Sequence, residues 1–161
     1  MKEELISRPV FEKTLKKILL WGMFLNLGVP TGLLVTAYFL TGASAILHVT
    51  PGRLDLIFLI FLAASLSDLG VAAWMRFFLL SSERLTLRAR LKNVLVSSVL
   101  FNTTVAIYTL CLVSAVLGFG YFVLGGQVEK GLLLLVFNLL GYQFLRPRPE
   151  LVKKLLGYSG G

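Results

Sequence analysis

Residues 54–80 read LDLIFLIFLAASLSDLGVAAWMRFFLL, and this run decides the fold class. A helix rising 1.5 Å per residue needs ~20 mostly apolar residues to cross the hydrocarbon core of a bilayer. The run exceeds that length, and the only charge near its middle is Asp68. Three more apolar stretches, at 18–40, 94–124 and 128–145, have the same character, with no Lys or Arg near their centres. The third is long enough to require tilt, or loosening near Gly118 and Gly120. The fourth is closed off by Pro147 and Pro149, which cannot continue a helix.

Composition agrees with this reading. Hydrophobic residues make up 57% of the 161 and charged residues only 15%, and the mean hydropathy is +0.83. A soluble domain of this size needs more charge to cover its surface. The expected fold is therefore an all-α integral membrane protein, one domain over 1–161, built as a bundle of four transmembrane helices. The start, Met1–Lys17, is long and charged, and no small-residue cleavage pattern follows the first span, so a cleaved leader is not expected.

Lysine and arginine give an orientation. Lys2, Arg8, Lys13, Lys16 and Lys17 precede the first span; Arg76, Arg84, Arg88, Arg90 and Lys92 surround the second connection; Arg146, Arg148, Lys153 and Lys154 follow the fourth span. Only Arg53 and Lys130, of the 16 basic residues, fall on the other side. The positive-inside rule then places both termini in the cytoplasm, N-in and C-in. This clustering at span flanks also accounts for the net charge of +8 without invoking nucleic acid.

Three short amphipathic flanks are expected on the basic face, at 8–17, 82–93 and 150–157. The first starts like a helix with Pro9 in its first turn. The second mixes leucines with arginines and is able to run straight into the third span. The third sets Lys153 and Lys154 beside Leu151, Val152, Leu155 and Leu156. Arg84, Arg88, Arg90, Lys92, Lys153 and Lys154 form the expected cytoplasmic basic face, with anionic lipid headgroups as its partner.

Asp68 is the most informative residue. It lies ~18 Å from the end of its span at Leu80, at 1.5 Å per residue. A carboxylate at mid-bilayer costs ~2.5–3.5 kcal/mol on insertion scales, so it is expected to face the bundle or a water-filled cavity. Ala64, Ser65, Val71 and Ala72 surround it at helical spacing, whereas Leu59, Leu62, Leu66 and Leu69 read as a face for lipid. Candidate partners are Asn26 and Thr31 in the first span, Asn102 and Thr104 in the third and Asn138 in the fourth. Asn26, Asn102 and Asn138 all fall ~10–13 Å from the basic end, so the expectation is one polar layer. Pro30 frees a backbone carbonyl beside it.

Catalytic and metal chemistry find little footing. His48 is the sole histidine, so a two-histidine metal site is excluded. Cys111 is the sole cysteine, which removes disulfides and thiolate clusters. Ser65 and Ser67 have no histidine in the bilayer to activate them, and neither a phosphate-binding glycine loop nor paired carboxylates occur. No cofactor is expected. The leading expectation is a small non-catalytic subunit or accessory protein of a larger membrane complex for transport or energy conversion, held by other subunits or by copies of itself. A self-sufficient, oligomeric proton or cation transporter working through Asp68 is the alternative, and a membrane enzyme for a lipophilic substrate the third.

Overall fold

The structure, a computed structural model, describes residues 8–42 and 49–157. His48 and the outermost termini lie outside the described residues. Every regular element among those described is helical. Four helices are long and apolar enough to cross a bilayer: Arg8–Leu40, Gly52–Leu79, Val96–Val123 and Val128–Leu145.

The first is one continuous rod in three parts, α1 (Arg8–Met23), a π-helical turn (Phe24–Gly28) and α2 (Val29–Gly42). Pro30 explains the turn. It has no N–H to offer the Asn26 carbonyl, and its ring crowds that carbonyl in a regular α-helix. The backbone responds by widening, and Val29 donates to the carbonyl of Phe24, five residues back. The flank expected at 8–17 is therefore the first part of the spanning helix itself.

Thr50 in extended geometry and Pro51 in the first turn start α3 (Pro51–Trp74). A second π-helical turn, Met75–Leu79, follows it without a proline. Helix α4 (Ser82–Lys92) is capped by the Ser81 hydroxyl, which accepts from the Arg84 N–H, and ends at Asn93 in the left-handed region, φ 51°. This turn corrects the expectation of a run-through: α5 (Val96–Val123) starts afresh after the break. Helix α6 (Val128–Leu145) and the short α7 (Pro149–Leu155) are the last elements among the described residues.

Helix α5 is the axis of the bundle. Of its most apolar 18 residues 39% are buried, against 11% for α3. It packs on α1, α2, α3, α4 and α6, while α3 packs on α5 and α6 and makes no substantial contact with α1 or α2. The span does not loosen at Gly118 and Gly120, since α5 is α-helical from Val96 to Val123. A Cβ on Gly118 would stand 2.6 Å from the Gly131 carbonyl oxygen, so Gly118 lets the α5 and α6 backbones touch. Beside that contact Lys130 reaches Asp55 at 2.6 Å, and Phe58 packs on Tyr121 at 5.6 Å between ring centres.

At the basic end, the three flanks meet one another. Leu85 and Ala89 of α4 and Val152 and Leu155 of α7 are buried in one cluster with Ile18 and Leu145, and Phe11 and Leu15 pack against it. Each flank thus has a face committed to the protein. Opposite its buried face, α4 exposes Leu87 and Leu91.

Candidate functional site, a buried polar cluster beside an open polar face

The expected polar layer exists in part. The Asn138 amide donates to the Asn26 side-chain oxygen at 2.9 Å. Asn26 in turn donates to the Gly22 carbonyl at 3.3 Å. Both asparagines are fully buried. The π-helical turn holds Asn26, so the widened backbone beside Pro30 is what positions this side chain.

Two tyrosines absent from the expected site complete the cluster. Tyr108 of α5 and Tyr142 of α6 meet edge to face at 5.4 Å. Gly22 makes room for them, since a Cβ there would lie 2.8 Å from the Tyr108 ring and 3.0 Å from that of Tyr142. Thr104, one turn before Tyr108, is also buried. Thr104 Oγ1, the Tyr108 hydroxyl and Asn138 Oδ1 have no hydrogen-bond partner, nor do Ser65, Ser114 and the Nε of Arg76. The sequence sets Tyr108 near a stripe with Thr104, and Tyr142 on the face of Asn138, although neither tyrosine was counted among the expected site residues. The usable signal was spacing: Asn138 and Tyr142, like Thr104 and Tyr108, are four apart and share a face.

Arg76 stands at the edge of this cluster. It belongs to the second π-helical turn, is half-buried, and lies within electrostatic reach of Tyr108 and Arg148. Such turns often occur at functional sites, and the two among the described residues carry Asn26 and Arg76.

The remaining expected residues go elsewhere. Asn102 and Thr31 are exposed, not buried with the other asparagines. At about 100° per residue, Ser98, Asn102, Thr109 and Val116 fall in one stripe of α5, and all four are exposed. Phe101, about 60–100° to one side of this stripe, faces Trp21 of α1 at 6.5 Å. Gly120, in line with Asn102 about five turns on, marks the edge of the stripe facing α3, where Phe61 packs.

Asp68 is half-buried. Its carboxylate forms no hydrogen bond or ion pair with any described residue. The inward stripe of α3 runs instead through Ser65 and Ala72, both with no exposed surface, and Leu69. Leu69 is not on a lipid face: its side chain fills the space a Cβ on Gly141 of α6 would need. Leu69 and Asp68 are about 100° apart around the helix. Asp68 therefore leans away from α6, toward the same open side of α5 that displays Asn102 and Thr109. Asp68 and Thr109 also match in depth, at ~18–20 Å from the basic ends of their helices.

The six residues expected to form a basic face divide by role. Arg84 is exposed and lies over the Phe78 ring at 5.8 Å, Arg90, Lys92, Lys153 and Lys154 are exposed, and Arg88 is half-buried. No group of three or more His, Cys, Asp or Glu able to hold a metal occurs among the described residues. No protein-family model matches the chain, and no curated protein and no solved structure matches it.

Proposed function

We propose that this chain is a small non-catalytic transmembrane subunit, inserted with its basic end in the cytoplasm, that receives another transmembrane helix on the open side of α5. The observation carrying this reading is the exposed stripe of Ser98, Asn102 and Thr109 on α5, with half-buried Asp68 on the neighbouring α3. In a bilayer, polar side chains turned outward face hydrocarbon, where an unmet carboxylate or amide costs several kcal/mol. Thr109 meets its own need by donating to the Val105 carbonyl at 3.0 Å. Asp68 and Asn102 have no such recourse, and a helix from another chain bearing donors at their depth satisfies both. Ala64 beside Asp68 leaves room for close approach.

The alternative is ion movement past Asp68, which makes no hydrogen bond to the buried Asn26–Asn138 pair. The test is co-purification from native membranes after mild detergent extraction. Wild type should bring down a partner, Asp68→Leu and Asn102→Leu should lose it while remaining folded, and Asp68→Asn should retain it. Asp68-dependent proton or cation flux by the purified chain alone in liposomes would replace this reading with the transporter.

A further inference from the structure

We propose that Arg76, Arg146 and Arg148 form a site for the phosphate of an anionic lipid at the basic end of the bundle, below Tyr108. The site is distinct from the open face of α5 and does not depend on it.

Arg76 begins the argument. Its Nε is buried without a hydrogen-bond partner, although a guanidinium carries five donors and keeps its charge. The groups that act on it electrostatically are Tyr108 and a second cation, Arg148. A third, Arg146, acts on Tyr108. The ion pairs among the described residues, Arg8 with Glu12 and Lys130 with Asp55, involve none of these arginines. Two guanidiniums, those of Arg76 and Arg146, therefore lie within electrostatic reach of a phenol whose buried hydroxyl is itself unpartnered. That of Arg148 lies within reach of Arg76, and no described carboxylate pairs with them.

Helix direction explains the convergence. Side chains lean toward the N-terminus of their own helix. Helix α5 begins at the basic end, so Tyr108 leans down toward it. The helix carrying Arg76 ends there, so Arg76 leans up, from ~6 Å above Leu80 by helical rise. Arg146 and Arg148 bracket Pro147, which is fully buried, and the two prolines at 147 and 149 fix the backbone that presents them.

Arg146 and Arg148 are exposed and Arg76 is half-buried, and like charges brought near a half-buried guanidinium are costly unless an anion joins them. Phosphate suits guanidinium because two parallel N–H bonds can form at once. A lipid headgroup supplies that phosphate at this depth, and basic pockets between transmembrane helices are known to take such headgroups. Lys153 and Lys154 lie outside this group, exposed on α7.

Trp74 gives a reporter. It lies two residues from Arg76 and is 52% exposed. With Trp21→Phe to silence the other tryptophan, the full chain is placed in vesicles containing brominated phosphatidylglycerol or brominated phosphatidylcholine. Brominated phosphatidylglycerol should quench Trp74 preferentially, with the preference falling about fivefold for each arginine removed in Arg76→Gln and Arg148→Gln. Lys153→Gln/Lys154→Gln should leave the preference in place. Equal quenching by the two lipids in wild type overturns the proposal, as does an equal loss in the lysine variant. If millimolar inorganic phosphate abolishes the preference, the site belongs to a soluble anion and the lipid assignment fails. Should Arg76→Gln not fold, Arg148→Gln, altered at an exposed residue, decides alone.

Discussion

The Asn138 side-chain amide donates to the Asn26 side-chain oxygen at 2.9 Å, linking positions 112 apart in sequence, where neither residue reaches the surface. This bond ties the first helix to the fourth beside α5. Interhelical hydrogen bonds in membranes average ~0.6 kcal/mol and reach ~1.7. Asn26→Ala and Asn138→Ala should each destabilise the fold, and the double variant should cost less than their sum by a coupling in that range. A double-mutant cycle measured by reversible unfolding in detergent or bicelles checks this. Strict additivity would mean that the bond contributes nothing.

The contact of Gly118 with the Gly131 carbonyl predicts a sharp size limit. Gly118→Ala places a methyl 2.6 Å from that oxygen and 3.2 Å from Leu134 Cβ, so two backbones must part. Overpacking of this kind costs ~1–3 kcal/mol. Gly32→Ala meets nothing within 4 Å and should leave thermal stability unchanged or slightly higher, since alanine favours helix. Equal melting shifts for both variants would contradict the close approach.

The orientation proposed from the basic flanks is read by labelling. Cys111 is fully buried and should stay silent. Gln127→Cys should react with an impermeant thiol reagent added to intact cells, and Ser82→Cys should not. Reaction at position 82 from outside would invert the topology.

The Lys130–Asp55 ion pair should matter little despite its 2.6 Å length. Asp55 is 67% exposed in its side chain and Lys130 30%, so solvent screens the attraction. Asp55→Asn should lower the melting temperature only slightly, an effect that shrinks as salt rises. A large, salt-independent drop would show that the pair is shielded from water.

The helices and the clustering of charge at one end were legible because length, hydropathy and Lys/Arg placement are properties of segments. Which face of a segment turns inward was legible only in places. Depth correctly paired Asn26 with Asn138, but it grouped Asn102 with them, and Asn102 is on the outside of α5. In an apolar chain the inward and outward faces are both hydrophobic, so the contrast that marks a soluble helix's core face is missing. Leu69 was misread for the same reason: a leucine facing lipid and one filling the gap over Gly141 look alike. Thr31 was grouped by depth alone: it lies about 140° from Asn26 around a regular helix, and it is exposed.

The near-absence of contact between the first helix and α3 bears on how the protein is made. Synthesis runs from the N-terminus, so roughly the first 95 residues, with two candidate spans, leave the ribosome before α5 does. Those two helices have almost nothing to hold on to in each other. Assembly of the bundle is therefore postponed until α5 arrives to join them, and during that wait both are free to meet an insertase or a neighbouring chain.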